Sequence, residues 1–492
     1  MRLYPFKTPK NKIRKLNKES KKTIMLIGVG EICSLLIKEL QAGFHNYLKV
    51  SCIIDEDSSR HGKKLLGVPI IGGRNQIIDS VKKYNVGEII ILLSSNNDIR
   101  EVLAICLKTS CFLKTISYDD YLLSGEFDLS SLHPIDIEDF ILPSNKLSIL
   151  NNLSDIQNTI NSKVVLITGG GGSIGSELCR QISSCSPSIL IIFDFNESSA
   201  YNIYMELHNK YPNLNLAIII GSIRDEYKVK QVFEKYKPDI VYHTAAYKNV
   251  PFMEDNPSEA ILNNILGTFI VTKTASDCGT KSFTFISTDE ALNPQNIMDL
   301  TKRIGEMIIQ MFSYNSNTLF SSVRFGRVLG TDGSVISLFR KQIENGGPVI
   351  LQDPSIIRYF LTIAEAVSLI LKASSMSTGN DIFTLNMGEP VKILDIAENI
   401  IRLSGYEPYE DINIVFTGLR PGEKLFEVLP NDKSGLIATN NDKIYISEDY
   451  KFDEKLFDEK LKILFEKAIK HSGDIRDDLN NITSERVNEN RN

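Results

Sequence analysis

VVLITGGGGSIGSEL, residues 164–178, decides the fold. Val164–Thr168 is an apolar, β-branched run that ends in Thr168-Gly169. Glycines follow at 169, 172 and 175, and helix-forming residues run on from Glu177. A buried strand passing through a tight glycine turn into a helix is the TGxxGxxG dinucleotide-binding arrangement. Gly169 permits the turn, Gly172 lets a pyrophosphate approach the backbone, and Gly175 lets the helix pack on the strand. With Ser173 and Ile174, these glycines offer phosphate the unpaired N–H groups at the positive end of a helix. Asp194 closes the next strand, 19 residues after Gly175. An acid there accepts hydrogen bonds from a ribose 2′-hydroxyl and repels a 2′-phosphate, so NAD is expected in preference to NADP.

Working outward, Ile189–Phe193, Leu216–Ile220, Ile240–His243 and Phe283–Ser287 read as further strands separated by helical segments. They define an expected domain over 161–440. Upstream, Thr23–Gly28, Val50–Ile54 and Glu88–Leu93 alternate with helical spacing in the same way. Alternating strands and helices imply a parallel sheet. The expected fold class is therefore α/β, with two Rossmann-like doubly wound parallel-sheet domains, 23–140 and 161–440, joined by a linker at 141–160. In the first domain, Gly28-Val29-Gly30 reads either as a dinucleotide turn or as a plain strand-to-helix turn. Cys33 stands where the third glycine belongs, and Asp55 lies 25 residues beyond Gly30. Residues 441–492 read as a charged extension with one amphipathic stretch near Lys455–Ile469.

The 492 residues, 42% hydrophobic and 24% charged, suit a soluble chain of about three domains, or two plus extensions. A net charge of −6 argues against a nucleic-acid binder, which needs clustered Lys and Arg. No apolar run reaches the roughly 18 residues of a membrane span, and MRLYPFKTPK lacks the apolar core of a secretory signal. The seven cysteines are scattered with no CxxC pair, so reduced thiols, no metal site and a cytoplasmic location are expected. Residues 1–22 are basic. They read either as a solvated tail or as an electrostatic tether to the inner face of an anionic membrane or to an acidic partner.

The second informative stretch is ISTDEALNPQNIMDLTKR, 286–303. Ser287, Thr288, Asp289 and Glu290 fall where a parallel strand ends, and ligands bind outside such ends. Two neighbouring carboxylates there can take separate acid and base roles. Met298 and Lys302, four apart, share one face of a helix. Read alone, the stretch also fits a helix cap followed by a surface lysine.

Taken together, TGGGGSIGSELCRQI (168–182), VYHTAAYKNVPFMEDNPSEAILNNILGT (241–268), FISTDEALNPQNIMDLTKR (285–303), VRFGRVLGTDGSVISLFRKQIENGGP (323–348) and TGLRPGEKLFE (417–427) resemble the nucleotide-sugar 4,6-dehydratases of polysaccharide biosynthesis. These are extended short-chain dehydrogenases. The resemblance covers nearly all of 161–430 and implies a smaller C-terminal substrate-binding part. GVGEIC and LLGVPIIGG resemble the accessory Rossmann-like domain of the long members, which usually carry membrane helices ahead of it.

The resemblance implies a catalytic set of Thr288, Asp289, Glu290, Met298 and Lys302, with Lys302 also binding the cofactor. It implies substrate contacts from Lys248, Arg327, Arg358 and Arg420. Asp289 matches the acid that protonates the C6 hydroxyl, and Met298 stands where many relatives have tyrosine. Four changes depart from the usual pattern. Glu290 replaces a lysine, Arg327 an asparagine, Asp299-Leu300 a Gly-Ala pair, and Ser222 an aspartate. In the related dTDP-glucose dehydratases an Asp-Glu pair supplies acid and base, so Glu290 is the expected base. The implied activity is NAD-dependent 4,6-dehydration of a UDP-N-acetylhexosamine, UDP-N-acetylglucosamine first, for bacterial surface glycans, by a homo-oligomer. A nucleotide-sugar 4-epimerase or reductase, or a non-catalytic NAD and nucleotide-sugar binding protein, are the alternative readings.

Overall fold

A computed structural model describes residues 22–41, 48–93, 96–109, 111–116, 132–135, 154–331, 334–388, 390–419, 435–448, 450–471 and 475–483. The basic segment up to residue 21, linker residues 141–153 and Arg420 lie outside the described residues. Among the described residues no helix is long and apolar enough to cross a membrane.

The glycine-turn strand sits near the middle of a nine-stranded sheet. Its order is Leu216–Ile220, Ile189–Asp194, Val164–Thr168, Ile240–His243, Ser282–Ile286, Leu319–Arg324, Asp381–Leu385, Ile444–Ser447, Leu436–Ala438. The first seven strands run parallel, and the last two are antiparallel additions. Strand order reverses direction between Val164–Thr168 and Ile240–His243, which opens a crevice at their carboxyl ends. Both faces are covered. Val165, Ile167, Leu190 and Ile192 point into one core, while Leu166, Ile191, Val241 and Phe283 point into the other. Burial on both faces explains why these strands read as unbroken apolar runs.

Upstream, a seven-stranded sheet has the order Lys64–Leu65, Val68–Gly72, Leu48–Ile54, Lys22–Ile27, Glu88–Ile91, Phe112–Ile116, Leu132–Pro134. Its four inner pairings are parallel. Downstream of the main sheet, Arg327–Val328, Ile357–Leu361 and Pro390–Lys392 form a three-stranded sheet. With the helices Val335–Glu344 and Ile393–Leu403 they enclose a separate small core around Phe339, Phe360 and Ile396.

Two strands in the parallel part of the main sheet were not evident in the sequence. Leu319–Arg324 and Asp381–Leu385 carry the buried polar residues Ser321, Ser322 and Thr384. Cross-strand hydroxyl pairs serve two of them, with Thr284 bonded to Ser321 and Thr384 to Ser447, while the Ser322 hydroxyl has no hydrogen-bond partner among the described residues. Segment 441–492, expected as an extension, contributes the strand Ile444–Ser447 and the helices Glu454–Lys470 and Ile475–Thr483. Phe457, Leu461, Leu464 and Ala468 recur at helical spacing and share one core with Ile261 and Ile265 and with Ile304, Met307 and Ile308 of the long helix Ile297–Tyr314, against which the helix Ile475–Thr483 packs. At about 1.5–3 kcal/mol for each large apolar side chain buried, this contact ties the C-terminal helices to the helix that carries Lys302.

A buried charge cluster reinforces that joint. Arg324, on the strand next to Ser282–Ile286, donates Nε and Nη2 to the two oxygens of Glu306 at 2.8 and 2.7 Å. The Tyr450 hydroxyl bonds both groups, and the Arg303 guanidinium lies 3.4 Å from the Tyr450 ring centroid. Burial pushes the Glu306 carboxyl upward, but Arg324 outweighs it and holds the pKa below the ordinary range. Glu306→Ala leaves Arg324 buried and unpaired, so a stability loss of about 3–5 kcal/mol is expected by chemical denaturation. The double change Glu306→Met with Arg324→Met should recover most of it.

Candidate active site

The glycine turn is built by close approaches that no side chain permits. Gly169 has φ +69°, and a Cβ there would lie 2.8 Å from the Ala245 backbone. A Cβ on Gly175 would lie 2.1 Å from the Gly169 carbonyl oxygen. Gly172 is the N-cap of helix Ser173–Ser183, with no side-chain cap, and a Cβ there would meet only the Gly169 carbonyl, at 3.2 Å. Backbone N–H groups at the start of this helix are therefore open toward the crevice, where an added side chain would crowd a pyrophosphate. Ser173 and Ile174, both partly buried, form its first turn. This cradle fits the diphosphate of NAD.

Asp194 is buried and accepts from Gly171 N and Asn196 N, both at 2.8 Å. Its carboxylate thus fixes the turn as well as standing where a ribose is expected. Asp55 makes the same contact in the first domain, accepting from Val29 N at 2.7 Å, and pairs with Arg60 at 3.4 Å. There the acid serves the turn itself.

Behind the crevice His243 is fully buried between Thr168 Oγ1 at 2.7 Å and Thr268 Oγ1 at 3.0 Å. Thr268 already donates its hydroxyl proton to the Asn264 carbonyl, so His243 Nε2 is the donor and Nδ1 the acceptor. Burial, then the Lys302 charge, push the imidazole pKa down to about 3, which keeps it neutral. Asn264, which sequence reasoning passed over, sits in a π-helical turn, Ile261–Leu266. Its side chain accepts from Tyr247 N and donates to Tyr247 O and Thr301 Oγ1. A polar side chain with every bond made inside the core joins the crevice loop to the Lys302 helix.

The acidic residues stand on a 3-10 turn, Asp289–Leu292, at the carboxyl end of Ser282–Ile286. Thr288 caps that turn, accepting from Glu290 N and donating to Asp289 Oδ1. Asp289 N bonds the Phe325 carbonyl, which places Gly326 against the acid: a Cβ on Gly326 would lie 2.7 Å from Asp289 Oδ2. Glycine at 326 therefore makes room for the Asp289 carboxyl. Glu290 is exposed and Asp289 half-buried.

Lys302 is buried, donates Nζ to the Ile286 carbonyl at 2.7 Å, and lies 4.8 Å from the Phe285 ring centroid. Burial lowers its pKa to about 8, against the opposing pull of Glu306. Met298, one turn earlier, is half-buried against the helical core. Arg327 and Arg358 lie on neighbouring strands of the small sheet. Arg327 pairs with Phe360, and Arg358, two residues before it, shares that face. Lys248 is exposed on the loop after Ile240–His243. The fold thus gathers Thr288, Asp289, Glu290, Gly326 and Arg327 on adjoining loops, with Lys302 directly behind.

Gly175→Ala forces apart a backbone contact that has no flexible partner. A loss of about 1–3 kcal/mol is expected, together with loss of NAD binding by calorimetry. Unchanged binding would mean that the turn is not the cofactor cradle.

Residues 165–449 match the family described as polysaccharide biosynthesis protein. The probable polysaccharide biosynthesis protein EpsC of Bacillus subtilis (strain 168) is 41% identical over 410 residues, covering 83% of this chain and 68% of that protein. A UDP-N-acetylglucosamine 4,6-dehydratase (inverting) of Campylobacter jejuni is 29% identical over 316 residues, 63% of this chain and 90% of the relative. Among solved structures, Pen from Bacillus thuringiensis aligns with a TM-score of 0.53 at 32% identity, over 60% of this chain and 90% of the other. The chain belongs to the polysaccharide biosynthesis protein family, among the nucleotide-sugar dehydratase-like short-chain dehydrogenases.

Proposed function

We propose that this protein is an enzyme of the nucleotide-sugar dehydratase and epimerase class that removes water across C5 and C6 of a UDP-N-acetylhexosamine, with UDP-N-acetylglucosamine the first substrate to test. The observation that carries this reading is the pair Asp289–Glu290 on one turn at the mouth of the crevice, at the carboxyl end of the sheet. A 4-epimerase needs no second carboxyl group there. A 4,6-dehydratase needs both an acid and a base.

Gly169, Gly172 and Gly175, with the N-terminal turn of helix Ser173–Ser183, would hold the cofactor diphosphate. Asp194 would meet the ribose of the adenosine half, and Lys302 the ribose next to the nicotinamide. Bound NAD would supply reversible hydride acceptance from C4 and return to C6, so the product carries no net oxidation. Glu290 takes the C5 proton, acidified by a neighbouring C4 carbonyl. The released electron pair forms the C5–C6 double bond, the C6–O bond breaks, and Asp289 gives the departing hydroxyl its proton, which it regains from the C4 hydroxyl; as hydride returns to C6, Glu290 gives its proton back to C5. Lys302, cationic below about pH 8, holds a positive charge beside the sugar C4 oxygen. Arg327, Arg358 and Lys248 supply cationic groups for the diphosphate, where planar guanidinium groups suit phosphate well. Homo-oligomeric assembly and contact of the basic segment with a membrane face belong to the same proposal.

Incubation with NAD and UDP-N-acetylglucosamine should yield a product lighter by one water with a C4 carbonyl. Asp289→Asn and Glu290→Gln should each reduce turnover by about 10²–10⁴-fold while substrate still binds. A product of unchanged mass with inverted C4 would identify an epimerase. Binding without turnover, indifferent to Glu290→Gln, would identify a non-catalytic protein. Gly326→Ala should lower turnover at least about tenfold, since the added methyl displaces Asp289 from its position.

A further inference from the structure

Asp299 is an acid with a second neighbour. It occupies the third position of helix Ile297–Tyr314 and is wholly buried. Its Oδ2 does capping work, accepting from Asn296 Nδ2 at 2.7 Å and from Gln295 N at 3.3 Å, while Asn296 Oδ1 accepts from Asp299 N. Helix capping needs no more than that one oxygen. Oδ1 is buried as well, yet no described residue donates to it. The turn Asp289–Leu292 packs against this helix, with Arg303 bonded to the Ala291 carbonyl, and the Glu290 and Asp289 carboxylates both act on Asp299. Two carboxyl groups can bond only when one of them carries a proton. The buried member loses more by ionising, so the proton resides on Asp299.

The remaining charged groups around this pair come from three directions. Glu254, on helix Val250–Asp255, accepts from Ile297 N and is paired with Arg476. Arg303, on the same helix as Asp299, donates to the Ala291 carbonyl and stacks on Tyr450. Lys302 points to Ile286 O. None of these contacts is a hydrogen bond to Asp299.

From this geometry we infer that Asp299 is a positioning residue: as a neutral carboxylic acid it donates a hydrogen bond to Glu290 and holds that carboxylate ready to accept the C5 proton. Burial first and Glu290 second raise the Asp299 pKa to about 7. A raised folded-state value gives stability that is complete below the ordinary aspartate range and is lost as pH climbs through about 7. The inference rests on the dehydratase reading for the word base, but the pair itself does not.

The test compares full-length wild type with Asp299→Asn and Asp299→Ala. Asparagine keeps the capping oxygen and offers Nδ2 to Glu290 without a titrating group. Expected for wild type is turnover that falls off above about pH 7 as Asp299 ionises. Asp299→Asn should retain turnover within about tenfold and lose that alkaline fall. Asp299→Ala should lose about 10–100-fold in kcat with KM nearly unchanged. Infrared spectroscopy of the same proteins at pH 6 should show a protonated-carboxyl band in wild type that disappears in both variants. Identical pH profiles in wild type and Asp299→Asn, with no carboxyl band lost, would overturn the pairing and leave Asp299 a helix cap. If wild type turns over no UDP-sugar yet the band is present and lost on substitution, the dehydratase reading fails while the pair stands.

Discussion

Backbone touches backbone where the first strand of the main sheet turns into its helix. A Cβ at position 175 would sit 2.1 Å from the Gly169 carbonyl oxygen, well inside van der Waals contact. Only paired glycines allow the helix to start so close to the strand end. That closeness aims the helix N-terminus along the crevice at the switch in strand order. Asp194 then fastens the loop from the next strand. The same acid-to-turn bond, Asp55 to Val29, recurs in the upstream sheet. One local solution to a tight strand–turn–helix corner thus serves both sheets.

From this corner outward, the site is a set of joints between elements distant in sequence. Asn264 ties the Tyr247 loop to the Lys302 helix. Phe325 and Gly326 set the Asp289 turn. Glu306, Arg324 and Tyr450 lock the far side of that helix to the sheet and to the C-terminal segment. Each joint is buried and polar, and buried polar groups tolerate little error in geometry. Lys302, enclosed by these joints and the Phe285 ring, is held with its ammonium at the strand end rather than in solvent. Its lowered pKa follows from that enclosure.

Much of this was legible in advance for particular reasons. Strands with both faces buried announce themselves as apolar runs, as Ile189–Asp194 and Ile240–His243 do. Leu319–Arg324 and Asp381–Leu385 were hidden, because hydroxyl side chains that bond across the sheet break the apolar run while remaining buried. The C-terminal helices looked like a charged extension, since the eye follows their many Lys and Glu residues. The buried stripe Phe457, Leu461, Leu464 and Ala468 shows its purpose only in the core it completes. Asp299 stood in the sequence as one of four departures from a pattern, with nothing to connect it to Glu290 nine residues away.

The sequence alone determined the glycine turn, the acid that ends the following strand, and the adjacent Asp289 and Glu290. These depend on spacing within one strand–turn–helix unit or within one loop, where chain connectivity fixes the geometry. Tertiary structure alone decided that Gly326 faces Asp289, that Arg327 and Arg358 share a sheet face, and that Asp299 is buried with one oxygen unbonded. Contacts of that kind join segments brought together by packing of the whole core, and burial sets the protonation of the groups caught between them. No local pattern of residues encodes how much water a side chain will lose.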